Sequence, residues 1–236
     1  MIKFFRRIRQ NLIKENKVSR YVLYAVGEIV LVVIGIMIAL SINNWNQERT
    51  NRTEEQNYYR NIQRQLSEDK GLIEGNIDYN NSFLKQFKYA IEIIEKNDRS
   101  SKDSLAKISL NLQRFSDFHR QSNIYQAMIN SGEIKLLKNQ KIIDKLQRLE
   151  ETYIYINKLE ETHSQAVMTF VVPNIVSSIK VHSMRVENAE IMYSFQFQNQ
   201  FTLFTGLMSE KNEIYQEALD RIDVIHDLIA KELESS

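Results

Sequence analysis

Glu28 is the residue of this chain whose surroundings ask most of it. It lies in YVLYAVGEIVLVVIGIMIALSI, residues 21–42, where only Gly27, Glu28, Gly35 and Ser41 are neither apolar nor aromatic. An ionisable group inside a membrane helix usually faces protein or water and marks function. Three readings of Glu28 are open. It bonds a partner helix or a second copy of itself; it sits there in its neutral form, because leaving water disfavours charge; or it reaches for the nearer headgroups. Proton translocation is disfavoured, because residues 21–42 hold no second ionisable group. Gly35 and Ala39 form a small-xxx-small pair, with Gly27 two turns earlier on a similar face. Such pairs let helices approach closely. Gly27, Glu28, Gly35 and Ala39 are therefore the candidate membrane-helix contact residues.

Elsewhere the chemistry-bearing residues do not assemble into a motif. The four histidines, His119, His163, His182 and His226, include no pair spaced three to five apart, so no helix presents a metal-binding pair. His163 and His226 fall on or beside apolar stripes, where a packed or rim histidine is expected. The absence of cysteine removes disulfides, thiolate catalysis and zinc fingers. No GxSxG, Walker or GxGxxG motif is present. Pairs such as Glu150-Glu151 and Glu160-Glu161 are expected to be surface charge, and Tyr58-Tyr59 and Tyr153-Ile154-Tyr155 to be core and rim aromatics. The sequence therefore predicts no catalytic, cofactor-binding or metal-ligating residue, no cofactor and no enzyme. With 31 Lys+Arg against 30 Asp+Glu the charge is nearly balanced, which argues against a nucleic-acid partner.

The elements follow from punctuation and periodicity. Six Gly and one Pro among 236 residues leave few turns, so the chain is expected to be all-α with long helices. A helix over residues 21–42 would rise about 33 Å at about 1.5 Å per residue, close to a hydrocarbon core of about 30 Å. Seven basic residues within 1–20 oppose Glu15 alone, whereas 43–62 carry three basic and three acidic side chains. The positive-inside rule then predicts a cytoplasmic basic segment 1–20, a transmembrane helix 21–42 and an extracytoplasmic helical domain 43–236. Phe5, Ile8 and Leu12 would make the basic segment a short amphipathic helix on the inner leaflet. An apolar run of 22 residues exceeds a signal-peptide core, so retention as an anchor is expected.

Beyond Trp45, apolar residues Ile62, Leu66, Ile73, Ile77, Leu84, Phe87, Ile91 and Ile94 form one amphipathic stripe, with gaps at Asp69 or Lys70 and at Asn80. Asn97 to Ser101 breaks it, and Ser101 or Asp103 caps the next helix, about 104–116. A third helix, about 121–131, ends at Gly132, which suits a left-handed position. A long stripe follows Asn139 to Ala166, interrupted at Val171-Val172-Pro173-Asn174. A last one runs from Phe201 to Leu233. Near-heptad spacing, the signature of coiled coils, predicts an antiparallel helical bundle. Residues 189–200 alternate like a strand, but with no partner strand they are expected to be an extended loop or an irregular helix start.

The stretch ENKVSRYVLYAVGEIVLVVIGIMIALSINNWNQE, residues 15–48, after a basic MIKFFRRIR opening, resembles the amino-terminal signature of a bacterial membrane-protein family, mainly from Bacteroidota, called domain of unknown function 6090. The resemblance rests on Tyr24, Gly27-Glu28-Ile29-Val30, Val33-Ile34-Gly35-Ile36 and Asn43-Asn44-Trp45-Asn46. SNIYQAMINSGEIKLLKNQKIIDKL, residues 122–146, is similar as well. It implies a single-pass membrane protein and no activity. The functional expectation is a membrane-anchored helical scaffold or interaction protein of a bacterial inner membrane. Its partners would be the lipid bilayer and, through the membrane helix, a second copy or another membrane protein. The alternative is an extracytoplasmic ligand-sensing module acting through a membrane partner. A concave pocket with converging polar groups would favour the alternative, and a solid apolar core with an exposed apolar patch the first.

Overall fold

A computed structural model describes residues 18–120 and 123–234. The predicted amphipathic start of the basic segment lies within residues 1–17, outside the described residues. The chain divides into two units, Met1–Glu55 and Gln56–Ser236.

In the first unit the described chain is helical throughout. It belongs to α1, Val18–Glu95, a run with no proline to remove a backbone donor. From Val22 to Ile42 no large aliphatic side chain is less than 46 % exposed. The helix is long and apolar enough to cross a membrane, and none of its most apolar stretch is buried. Beyond the apolar run the surface turns polar, and Gln47 Nε2 donates to Asn51 Oδ1 at 2.9 Å one turn on.

The second unit is a helical bundle built from the rest of α1, a 3₁₀ turn Arg99–Ser101, α2 (Lys102–Asn111), α3 (Ile124–Ser131), a 3₁₀ turn Glu133–Leu136, α4 (Gln140–Ala166), α5 (Val172–Ser178), α6 (Ala189–Met192) and α7 (Phe195–Glu234). Partners on α7 descend from Asp223 to Asn212 to Phe201 as those on α1 ascend from Lys70 to Asn80 to Phe87, so these two helices run in opposite senses. The polar interruptions read in the α1 stripe are real core positions, since Asp69 and Asn80 are 2 % and 0 % exposed. Gly132 takes φ +75 after α3, and Asn139 caps α4 by accepting from the amides of Lys141 and Ile142.

Several boundaries differ from expectation. The second helix is Lys102–Asn111, not 104–116, because residues 114–120 leave the helix to bond polar side chains of other elements. The third begins at Ile124, where the Asn123 side chain caps the amide of Gln126 at 2.8 Å. Ser101 occupies the cap position of α2 without capping it; its hydroxyl donates to Asp98 Oδ2 at 2.7 Å instead. The chain stays helical through 171–174: a π turn, Val167–Val171, absorbs the irregularity and Pro173 falls in the first turn of α5, where its missing N–H is not needed. A two-stranded antiparallel ladder, Ile179–Lys180 with Arg185–Val186, was not anticipated. Of the two readings of residues 189–200, the structure has the irregular helix start and not the extended loop. The segment is helical apart from a break at Tyr193-Ser194, held where Tyr193 OH donates to Asp98 O at 2.6 Å and Arg99 covers the Tyr193 ring at 4.1 Å. Strand-like alternation failed here because Met192, on the short α6, and Phe197, at the start of the long α7, reach the same core from two separate helices.

Two apolar clusters fill the bundle. One joins Tyr59, Leu66, Ile73, Leu146, Tyr153, Ile222 and Ile229 with their neighbours. The other joins Phe83, Phe87, Ile94, Leu105, Val171, Phe201 and Met208. Between them in sequence, on each long helix, lie buried polar residues: Asn80 on α1, Glu160 and His163 on α4, and Lys211 on α7.

Candidate functional site: a polar belt and a cleft

The non-helical segment 114–120 supplies the belt with backbone groups that no helix satisfies. Lys211, 1 % exposed, donates from Nζ to Ser116 O at 2.8 Å. Glu160 accepts from the Phe118 amide at 2.8 Å and from Tyr215 OH at 2.6 Å. Tyr215 OH also lies 3.1 Å from Ser116 Oγ. Three elements are thus tied by one carboxylate and one ammonium. Glu160 is 6 % exposed, so the expectation of surface charge is corrected: only Glu161 of that pair stays exposed. The polar letter in the sequence hid a core position, since Glu160 follows Ile156 and precedes His163 on one stripe.

Burial sets the electrostatics. It pushes the Lys211 ammonium down to about 8, against the pull of Glu160 and Asp117, and pushes the Glu160 carboxyl up. His163 is fully buried between two rings, with centroids 4.9 Å from both Phe115 and Phe204. Neither ring nitrogen has a hydrogen-bond partner, and burial, aided by the Lys211 charge, takes it down to about 3. His163 is therefore a neutral packed ring, the reading its place on the stripe supports. His226 is half-buried, with Nε2 3.1 Å from Ser67 Oγ.

A second polar group flanks the first. Arg120 pairs in a fork with Glu150, at 2.6 and 3.0 Å, while its guanidinium covers the Tyr153 ring at 4.3 Å. Tyr153 OH donates to Asp69 Oδ2 at 3.1 Å, and burial pushes Asp69 up to about 6. Sequence reading missed this group because its members are 84 and 30 residues apart.

Between these two groups the segment and α4 leave an open cleft of about 650 Å³. Phe115, Asp117, Arg120, Asn157, Glu160 and Glu161 are among its walls. That volume lies within the range of small-molecule sites. Lys211 and His163 are not among its lining residues, and the described walls present hydrogen-bonding and charged groups. Among the described residues, no group of three His, Asp or Glu side chains is placed to hold a metal ion.

The residues singled out for the membrane helix lie outside this arrangement. Gly27, Glu28, Gly35 and Ala39 are all exposed, and a Cβ added at Gly27 or Gly35 would meet nothing within 4 Å. No curated protein and no solved structure matches the chain. A family model does, over residues 28–161, more than half of the 236-residue length and inclusive of Glu28, Asp69, the 114–120 segment and Glu160. The chain belongs to that family, the family of unknown function DUF6090.

Proposed function

We propose that this is a single-pass protein of a bacterial inner membrane, anchored by residues 21–42, with its basic amino terminus cytoplasmic and residues 43–236 periplasmic. It acts as a helical scaffold or interaction protein and catalyses no reaction. The observation that carries the reading is the helix from Val22 to Ile42, apolar on every side and nowhere buried. A soluble chain rarely leaves so much contiguous apolar surface in water, whereas hydrocarbon removes the penalty. The asymmetry of basic residues sets the orientation. Glu28 and the Gly35/Ala39 face supply the contact to a second copy or a partner helix.

The test is fractionation followed by protease treatment. The native protein is expected to stay with membranes after an alkaline carbonate wash, and protease added to spheroplasts should degrade residues 43–236. Recovery in the soluble fraction, or a carboxyl-terminal reporter active in the cytosol, overturns the reading.

The 650 Å³ cleft beside Glu160 favours a second reading, an extracytoplasmic ligand-sensing module acting through a membrane partner. Polar groups from the 114–120 segment and α4 converge on it. Co-purified small molecules released on denaturation, and absent from a Glu161→Trp variant that obstructs the cleft, would support that reading; identical profiles would dismiss it.

A further inference from the structure

The cleft beside Glu160 has walls of one predominant charge. Asp117 comes from the 114–120 segment, Glu160 and Glu161 come from α4, and all three line it. Among the described residues, Arg120 is the one lining side chain with a fixed positive charge, and its guanidinium is forked onto Glu150 at 2.6 and 3.0 Å. Asn123 is committed as well, to the Gln126 amide and to Glu150. None of the three lining carboxylates has a salt-bridge partner among the described residues.

Glu160 is built into the wall. It is 6 % exposed, and Oε1 takes both of its hydrogen bonds, from the Phe118 amide and from Tyr215 OH. Oε2 accepts from no donor among the described residues, yet it is not sealed as the His163 nitrogens are. One oxygen therefore holds the fold, and the other keeps accessible surface on a residue that lines the cleft. Asp117 and Glu161 are exposed, and the Asp117 charge acts on Glu160, Tyr215 and Lys211. His119, Asn157 and Ser164 add groups able to accept from an N–H donor, and Phe115 and Phe118 add rings to the walls.

We propose that this cleft binds an organic dication, an aliphatic diamine with one ammonium at Glu160 Oε2 and the other at the exposed carboxylates of Asp117 and Glu161. Its methylenes lie along the rings. This assignment rests on the ligand-sensing reading of the cleft and names the ligand class. An ammonium brings donors only, and bonds between ionised partners are the strong ones. A metal ion needs oxygens converging on one point, and no group of three acidic or histidine side chains is so placed among the described residues. An anion would have to take Arg120 from Glu150 while facing three carboxylates.

The full-length chain, held in a nonionic detergent, is titrated calorimetrically with butane-1,4-diamine, butan-1-amine, butanedioate and magnesium ion. The diamine is expected to bind saturably. The monoamine should bind about tenfold or more weakly, the span of one lost charged hydrogen bond, and butanedioate should give no saturable heat. The double variant Asp117→Asn, Glu161→Gln changes only exposed side chains and should weaken the diamine by about tenfold or more with helix content unchanged. Glu160→Gln should weaken it as well, and the double variant stands even if Glu160→Gln fails to fold. Equal binding of the diamine, the monoamine and magnesium, or diamine binding unaltered in the double variant, overturns the proposal. No diamine binding, with a neutral or anionic compound released from the native chain and missing from Glu161→Trp, overturns the dication and leaves the sensing reading standing. No diamine binding with identical released profiles overturns both.

Discussion

His163 and Glu160 sit one turn apart on α4 and behave oppositely toward their burial. Glu160 accepts two hydrogen bonds, so Glu160→Ala strands the Phe118 amide and leaves the Tyr215 hydroxyl with Ser116 Oγ alone. At about 1–3 kcal/mol for the stranded amide, the expected loss is about 1–3 kcal/mol, read as a lowered urea midpoint; Glu160→Gln, which keeps an acceptor, should lose less. His163 is buried with two idle nitrogens, so His163→Leu should stabilise the protein at neutral pH by about 1–3 kcal/mol. The pH dependence carries a sign. The folded chain holds His163 near 3, against 6.5 when unfolded, so the unfolded chain binds more protons between those values. Because protonation of the buried ring is disfavoured, stability is lost as pH falls from about 6.5 toward 3, by up to about 1.4 kcal/mol per unit. Asp69 works the other way. Raised to about 6, it favours the folded state as pH falls through 6, with the effect complete below 3.8. Removing His163 leaves Asp69 and Glu160 unopposed, so the variant should gain on the wild type progressively from pH 7 to 4 in thermal melts. A gap that does not change with pH would contradict the assignment.

Helix ends and helix faces were legible where one residue type decides them. Gly132 was readable as the end of α3 because a left-handed φ penalises any Cβ. Gly132→Ala should destabilise by about 1–2 kcal/mol. Gly71, inside α1 with open space around its Cα, is the opposite case, and Gly71→Ala should stabilise by about 0.5–1 kcal/mol. Paired melts of the two variants check the contrast. On the proposed membrane helix, Gly35→Ile should weaken association in a membrane-helix reporter assay, and Glu28→Gln should do the same if its carboxylate makes the contact. No change in either variant would leave the Gly35/Ala39 face idle. Residues 189–200 show where local pattern misleads. Ile191, Tyr193, Phe195 and Phe197 alternate as a strand would, yet Tyr193 and Glu190 are claimed by Asp98 and Arg99 some ninety residues earlier, and the chain coils to reach them.

In the whole molecule, the apolar surface of Val22–Ile42 and the buried cores belong to different units, and both apolar clusters draw only on residues of Gln56–Ser236. Residues 43–236 produced alone should therefore be soluble and melt cooperatively, within a few degrees of the full chain. Aggregation, or loss of cooperative melting, would show that the anchor contributes to the fold. The buried polar belt between the clusters favours one register of α1, α4 and α7 over alternatives that slide the stripes past each other. Asn80 Nδ2 donates to Asn212 Oδ1 at 2.9 Å, and any slip of one turn would strand the buried Asn80 amide.

Composition and periodicity alone already dictated a helical chain, an exposed apolar rod near the amino terminus and the long stripes, because helix formation and hydrophobic burial act through near neighbours and a fixed 3.6-residue repeat. They also marked Asp69 or Lys70, and Asn80, as gaps in a core stripe. Folding in three dimensions decided what those gaps were for. Glu160 with Phe118 and Tyr215, Lys211 with Ser116, and Arg120 with Glu150 depend on groups brought together from 30 to 95 residues apart. No local pattern encodes such pairings, since a buried charge and a surface charge are the same letter until the partner that satisfies it arrives.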